Sequence, residues 1–407
     1  MFNCYMKTFL RSITRPAGLL ALVCYVFACF TAWGNDGVYY TRGTQLVPLV
    51  ETSISVRKEV LTISIMDNGF ARVDVYYEFW HPGKEVKRVL MGFEADPSYN
   101  DDYKFYPSGV HPHIKDFTVE MNGKVLPYKN AACVAPVTRA GMNGLERIDT
   151  SKRYFVFDNN MLYEEGFDVE QGDNYKEGIG FAYVYYFDAD FEPGLNKVHH
   201  TYTYRMSWTI GTPYIVDYKL SPATRWANGQ IDDFTLVICA DNTAKNFFIP
   251  EEVFPNAGFR VSEGMGKMRR HKLYRDPAYE FSLRNGSVTL HLQDFKPEKE
   301  LRIVGAGMDC CYMEDGTFCV AAAYERTRLA VPLDEEWFSG MKVVPTDVAF
   351  RKRVLRNLPY AHRGHVFKDE RLREYFESLW WYMPDPAYKD STVDFTPVDY
   401  EYIQAGK

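Results

Sequence analysis

Histidine, acidic, cysteine and aromatic side chains are the groups in this 407-residue chain best suited to chemistry or recognition. His111 and His113, one residue apart, would share a face of an extended segment, with Asp101 and Asp102 in the preceding loop. That is a candidate metal site, set against a solvated loop. His199 and His200 are adjacent, so on a strand they point to opposite faces and cannot both reach one ion easily. His362 and His365 stand three apart with no cysteine or carboxylate between them, which fits hydrogen bonding better than metal ligation. Acidic pairs such as Asp232-Asp233 and Glu335-Glu336 are abundant. A glycosidase dyad needs carboxylates roughly 5–10 Å apart, a distance only a fold can supply. Serine-nucleophile, zinc-protease, phosphate-loop and calcium-loop signatures do not occur. No catalytic residue, metal or cofactor is assigned.

The N-terminus reads as an export signal. Lys7, Arg11 and Arg15 precede an apolar run from Leu19 to Ala32, and Ala32-Trp33-Gly34 offers small residues for a signal peptidase. The run is shorter than the roughly 20 residues of a spanning helix. Cleavage near Gly34 is expected; retention as an anchor, or lipidation at Cys29, are the alternatives. The processed chain would carry 44 basic and 54 acidic side chains. Such a protein is poorly suited to nucleic acid, which is bound largely by phosphate neutralisation. The basic run Lys267–Lys272 reads as a solvated loop face. Cys133, Cys239, Cys310, Cys311 and Cys319 remain after cleavage. Cys311 and Cys319 flank Glu314-Asp315-Gly316, and a three-residue hairpin loop there would place them opposite each other. A disulfide and a set of small buried thiols are the two readings.

Alternating apolar and polar residues dominate from Ser53 to Leu329. Ser53–Met66 and Phe70–Phe79 flank Asp67-Asn68-Gly69, a hairpin signature because Asn-Gly supplies left-handed dihedrals. Further strands are predicted at Asp116–Glu120, Arg153–Phe157, Gly180–Phe187, His199–Ile210, Tyr214–Leu220, Asp232–Ala240, Ser287–Leu292 and Glu300–Val304. Asp96–Pro112 reads as a long exposed loop. The 30 tyrosines suit strands, where the ring is buried and the hydroxyl reaches water. Strands without interposed helices predict a mainly β protein, α+β overall, with an antiparallel β-sandwich body. The opening of this region also looks like secreted bacterial β-sandwich proteins.

Near the C-terminus, helical spacing of Val348, Phe350, Val354, Leu355 and Leu358 predicts a helix that Pro359 ends. Gly364 permits a turn, and Asp369 can cap a second helix carrying Leu372, Phe376, Leu379 and Trp380. Continued helical phase would turn Trp380 inward and Trp381 and Tyr382 outward. Arg356, Asn357, Tyr360, Ala361, Gly364, Phe367, Leu372, Phe376, Trp381 and Tyr382 together resemble the YARHG domain, a small module of bacterial secreted and envelope proteins. His362 and Arg363 are transposed relative to that family's motif. Its last helix looks shortened here, leaving a polar tail.

The expected organisation is therefore a signal peptide (1–34), a β-sandwich region (35–335, with a seam near 211–222), a helical YARHG-like domain (344–395) and a tail (396–407). The resemblance implies an exported protein located in the periplasm, on the cell surface or outside the cell. Tyr360, His362, Arg363, Trp381 and Tyr382 are the candidate binding residues for a wall glycan, a peptide or an envelope protein. The competing view of the three C-terminal aromatics is that they seal the small domain's core. The competing functions are a glycan- or peptide-processing hydrolase and a structural envelope subunit.

Overall fold

The computed structural model describes residues 42–49, 52–98, 104–135, 145–157, 161–165, 178–209, 212–240, 245–273, 276–306, 348–390, 395 and 397–407. The export segment, Asp101, Asp102, Cys310, Cys311 and Cys319 lie outside them. Among the described residues Cys133 and Cys239 are free thiols. No described helix is long and apolar enough to cross a membrane.

The body is built from strands. In chain order they are β1 (Gly43–Thr44), β2 (Leu46–Pro48), β3 (Ser55–Ile65), β4 (Phe70–His81), β5 (Lys87–Ala95) and β6 (Ile114–Met121). There follow β7 (Lys124–Val125), β8 (Lys129–Val134), β9 (Tyr154–Phe157), β10 (Met161–Glu164), β11 (Phe181–Phe191), β12 (Gly194–Arg205) and β13 (Ser207–Thr209). The last are β14 (Thr212–Lys219), β15 (Ile231–Ala240), β16 (Lys245–Pro250), β17 (Arg260–Leu273), β18 (Asp276–Phe295) and β19 (Leu301–Gly305). One large sheet runs β1-β14-β19-β16-β18-β15-β3-β4-β12-β6-β7, with β13 on β14 and β17 on β18. A four-stranded sheet, β2-β5-β11-β8, covers part of it. Phe93 of β5 meets Phe117 of β6 and Tyr202 of β12, and Phe191 of β11 meets Phe79 of β4.

The alternation read from the sequence is what sets these faces. Along β4 every second side chain from Ala71 to Phe79 is buried, while Arg72, Asp74, Tyr76 and Glu78 face outward. The Asp-Asn-Gly turn closes β3 on β4 with Gly69 at φ +82°. The fold is mainly β, as expected, but not purely antiparallel. β15 runs parallel to β3, and β1 runs parallel to β14. The exposed-loop expectation for Asp96–Pro112 also needs correction at its end. His111 is buried against the Tyr183 ring, and its backbone N–H donates to the Tyr185 hydroxyl at 3.1 Å. Residues 212–225 run through the body as β14 and a short 3-10 turn, and one apolar cluster extends from Leu46 to Ile303.

The segment Gly43–Pro48 joins the large and the four-stranded sheets, β1 pairing in the first and β2 in the second. Buried polar groups hold it there. Gln45 Nε2 donates to both Glu59 oxygens at 2.7 Å, and Gln45 Oε1 accepts from Ala223 N at 3.0 Å. The Tyr202 hydroxyl accepts from Thr44 N at 2.9 Å and donates to Thr44 O at 3.2 Å. Trp226 Nε1 donates to Leu46 O. Burial raises the pKa of the Tyr77 and Tyr218 hydroxyls, and neither makes a well-directed hydrogen bond.

Burial pushes the Glu59 carboxyl up to about 8, against the opposing hydrogen bond from Gln45. The folded protein thus keeps a proton that the unfolded chain releases near the ordinary value of 4.5. Stability from this proton is fully present below pH 4.5, declines as pH rises, and is gone above about 8. The slope is at most about 1.4 kcal/mol per pH unit. Glu59→Gln, which mimics the protonated form, should flatten urea-unfolding stability across that window. Identical pH slopes in the two proteins would refute the assignment.

Candidate binding site on the C-terminal module

Three helices make the module: α1 (Val348–His362), α2 (Glu370–Glu377) and α3 (Pro397–Ala405). α1 buries Phe350, Val354, Leu355, Leu358, Pro359, Ala361 and His362. Contrary to expectation it runs through Pro359 to His362. A proline removes one helix hydrogen bond, and burial of four of the five residues from Leu358 to His362 outweighs that loss.

The motif itself is a helix stop. His365 N–H donates to Tyr360 O at 3.0 Å, and Gly364 N–H donates to Ala361 O at 3.0 Å, with Gly364 at φ +85°. These are the paired bonds of a Schellman C-cap, and the His365 ring meets the Tyr360 ring across it. Downstream, Asp369 caps α2 by accepting from Leu372 N at 3.0 Å, as its position suggested.

α3 corrects the expectation of a polar tail. It packs on α1, burying Tyr402 and Asp399. Asp399 receives Arg363 Nη2 at 2.5 Å and Nη1 at 3.1 Å, while Arg363 Nη1 also donates to Pro359 O at 3.0 Å. Of the transposed pair, His362 points into the core and Arg363 reaches the C-terminal helix.

The Trp-Trp-Tyr segment is turned opposite to the helical expectation. Trp381 is buried and stacked on His362, with centroids 4.2 Å apart and planes 13° apart. Tyr382 is buried beside Phe367 and Phe376, and its hydroxyl donates to His365 O at 2.7 Å. Trp380 is half-buried, with the Arg269 guanidinium 4.5 Å above its ring. The cause is that α2 ends at Glu377, so helical phase no longer orients these residues. Desolvation, reinforced by neighbouring Arg363, lowers the His362 pKa to about 3, so this imidazole is neutral.

The five candidate binding residues therefore lie in one module, but three of them, His362, Trp381 and Tyr382, serve its core. A depression of about 210 Å³ on its surface is lined by His365, Val366, Lys368, Asp385, Pro386, Tyr388 and Asp390. His365 Nδ1 lies 3.6 Å from Asp390 Oδ1, and its ring is edge-on to Tyr388 at 5.2 Å and to Phe367 at 4.8 Å. Lys368, Val366, Pro386 and Asp390 are exposed at the rim. Sequence reasoning missed Lys368, which carried no signal, and Asp385, Tyr388 and Asp390, whose only signal was the Asp-Pro-x-Tyr-x-Asp spacing after the aromatics.

The module sits against the β17–β18 hairpin. Lys267 Nζ donates to Tyr382 O at 2.8 Å and to Trp380 O at 3.3 Å. Arg269, besides covering Trp380, pairs with buried Glu280 at 2.6 Å. The basic run read as a solvated loop is thus a strand, one face of which holds the module.

The other candidates do not converge. His111 Nδ1 accepts from His113 N at 3.1 Å, and burial lowers the His111 pKa to about 3. Among the described residues no group of three or more His, Cys, Asp or Glu is placed to hold a metal. His199 pairs with Asp74 at 2.9 Å on the outer face, while His200 lies in the core between the Tyr77 and Tyr202 rings. A second depression, of about 240 Å³, includes Arg42, Glu252, Lys299 and Arg302.

Residues 352–407 match the YARHG domain family, so the C-terminal module is a YARHG domain. No curated protein sequence matches the chain. Among solved structures, a Legionella pneumophila protein provisionally named as nutrient binding is 18% identical, covers 92% of this chain and 100% of its own, and has a TM-score of 0.44. An M1 zinc metallopeptidase from Deinococcus radiodurans is 11% identical over 63% of this chain and 44% of its own, with a TM-score of 0.25.

The inward position of Trp381 has a measurable consequence. Trp381→Ala should destabilise the module by about 3–5 kcal/mol in chemical denaturation, the range for a buried tryptophan. Trp380→Ala should cost only about 1 kcal/mol, having lost a partly exposed cation–π contact. The reverse ranking would mean the segment is turned the other way.

Proposed function

We propose that this is an exported, non-enzymatic protein of the bacterial cell envelope that binds a wall glycan or peptide, or an envelope protein, through its YARHG domain. On this reading residues 1–34 direct export, residues 35–335 form a β scaffold, and the C-terminal module makes the contact in the periplasm, at the cell surface or outside the cell. The observation that carries the proposal is the depression beside the motif. It combines a cation (Lys368), carboxylates (Asp385, Asp390), an imidazole and a phenol (His365, Tyr388) with an apolar lip (Val366, Pro386). Such a set can hydrogen-bond a polar polymer while Tyr388 and Pro386 cover its less polar faces.

Its size supports the same reading. At about 210 Å³ it falls below the roughly 300–1,000 Å³ usual for small-molecule pockets. Shallow, open recognition suits an extended chain better than an enclosed metabolite. Within the module, Asp369, the cap of α2, is tied to α1 by Arg353 at 2.8 Å.

The test is retention of the full chain, lacking its export segment, on isolated cell wall and on envelope extract. Lys368→Ala combined with Asp390→Ala removes two exposed polar groups without touching the core. Loss of two charged contacts should weaken retention roughly 10- to 100-fold. Unchanged retention of the double variant would remove the depression as the contact site.

A further inference from the structure

We infer that Gly364 and the Met383–Asp385 segment of the YARHG domain form a seat for a guanidinium group, occupied within the same chain by Arg284 of the β body. Asp385 also lines the depression, but the inference does not rest on what the depression binds. Arg284 projects from β18, and its side chain is 8% exposed. Its Nη1 donates to Met383 O at 2.6 Å, and its Nη2 to Asp385 Oδ2 at 3.1 Å, with Met265 Sδ also against Nη2.

The seat is shaped by what Gly364 lacks. A Cβ at this position would collide with the Arg284 guanidinium, and would also press on Met383 O. Gly364 contributes its carbonyl instead, accepting from Asp385 N at 2.8 Å and tying down the segment that presents both acceptors. Asp385 Oδ1 accepts from Ala387 N at 2.9 Å, so the carboxylate is held on its far side as well.

Two divergent acceptors, one carbonyl and one carboxylate, fit a planar group with two outward nitrogens. A lysine ammonium is a single point and cannot span both along the same direction. Burial lowers the Arg284 pKa, and Asp385 opposes that shift. A charge placed here without its acceptors would be strongly disfavoured, so the seat and the arginine require each other. The ligand class is an arginine side chain presented on an extended strand.

Amide hydrogen exchange on the full-length chain tests this. In Arg284→Ala, protection of residues 364–390 should fall roughly 10- to 100-fold, the loss expected for charge-assisted hydrogen bonds, while β3 and β4 keep theirs. Millimolar methylguanidinium should restore protection, and methylammonium should not. Arg284→Lys retains the charge and most of the stem, so it serves should the alanine variant not fold; it too should leave the segment unprotected. Wild-type protection in Arg284→Lys, or equal rescue by both cations, would overturn the inference.

Discussion

The absence of a side chain at Gly364 is the constraint on which the C-terminal module depends. The position must adopt a left-handed dihedral to stop α1, and it must leave room for Arg284. The first demand falls on the local chain and the second on the tertiary fold. A glycine meets both without strain, whereas an alanine would meet neither. Because α1 stops there, His365 turns toward Tyr388 and Asp390, and the chain can re-enter the module as α2. Because the guanidinium fits there, the segment that carries Asp385 is pinned to the β body, and one wall of the depression is pinned with it.

The body shows a different economy. Its two larger sheets share an apolar, aromatic core, yet the segment that links them is held by polar groups: Gln45, Glu59, Tyr202 and the Trp226 indole. Keeping Glu59 protonated avoids burying a charge, at the cost of a fold that weakens as pH rises toward about 8. The arrangement gives the scaffold one set of partners for the segment rather than many interchangeable apolar ones.

Much of this could be read from sequence wherever the cause is local. Asp67-Asn68-Gly69 named its hairpin, Asp369 its cap and Gly364 its turn, because each acts through its own backbone. Alternation located most long strands, although β5, β8, β16 and β17 escaped it. In β17 bulges near Glu263 and Gly266 break the period, and its basic side chains mimic a solvated surface. What sequence could not show were pairings between distant residues. Arg363 meets Asp399 only through the helix–helix contact, β3 lies beside β15 across most of the body, and Arg284 finds Met383 across the domain boundary. The Trp380–Tyr382 orientation misled for a simpler reason: helical phase was extended past the residue where the helix ends.

The central claim, that a body arginine and a module carboxylate hold the YARHG domain in place, is tested most directly by a double-mutant cycle. Arg284→Ala, Asp385→Ala and the double variant would be compared by equilibrium unfolding, followed through the module's tryptophans. The account predicts a coupling energy of about 1–3 kcal/mol, as for a partly buried charged contact. A coupling indistinguishable from zero would show that the two residues are neighbours without being partners.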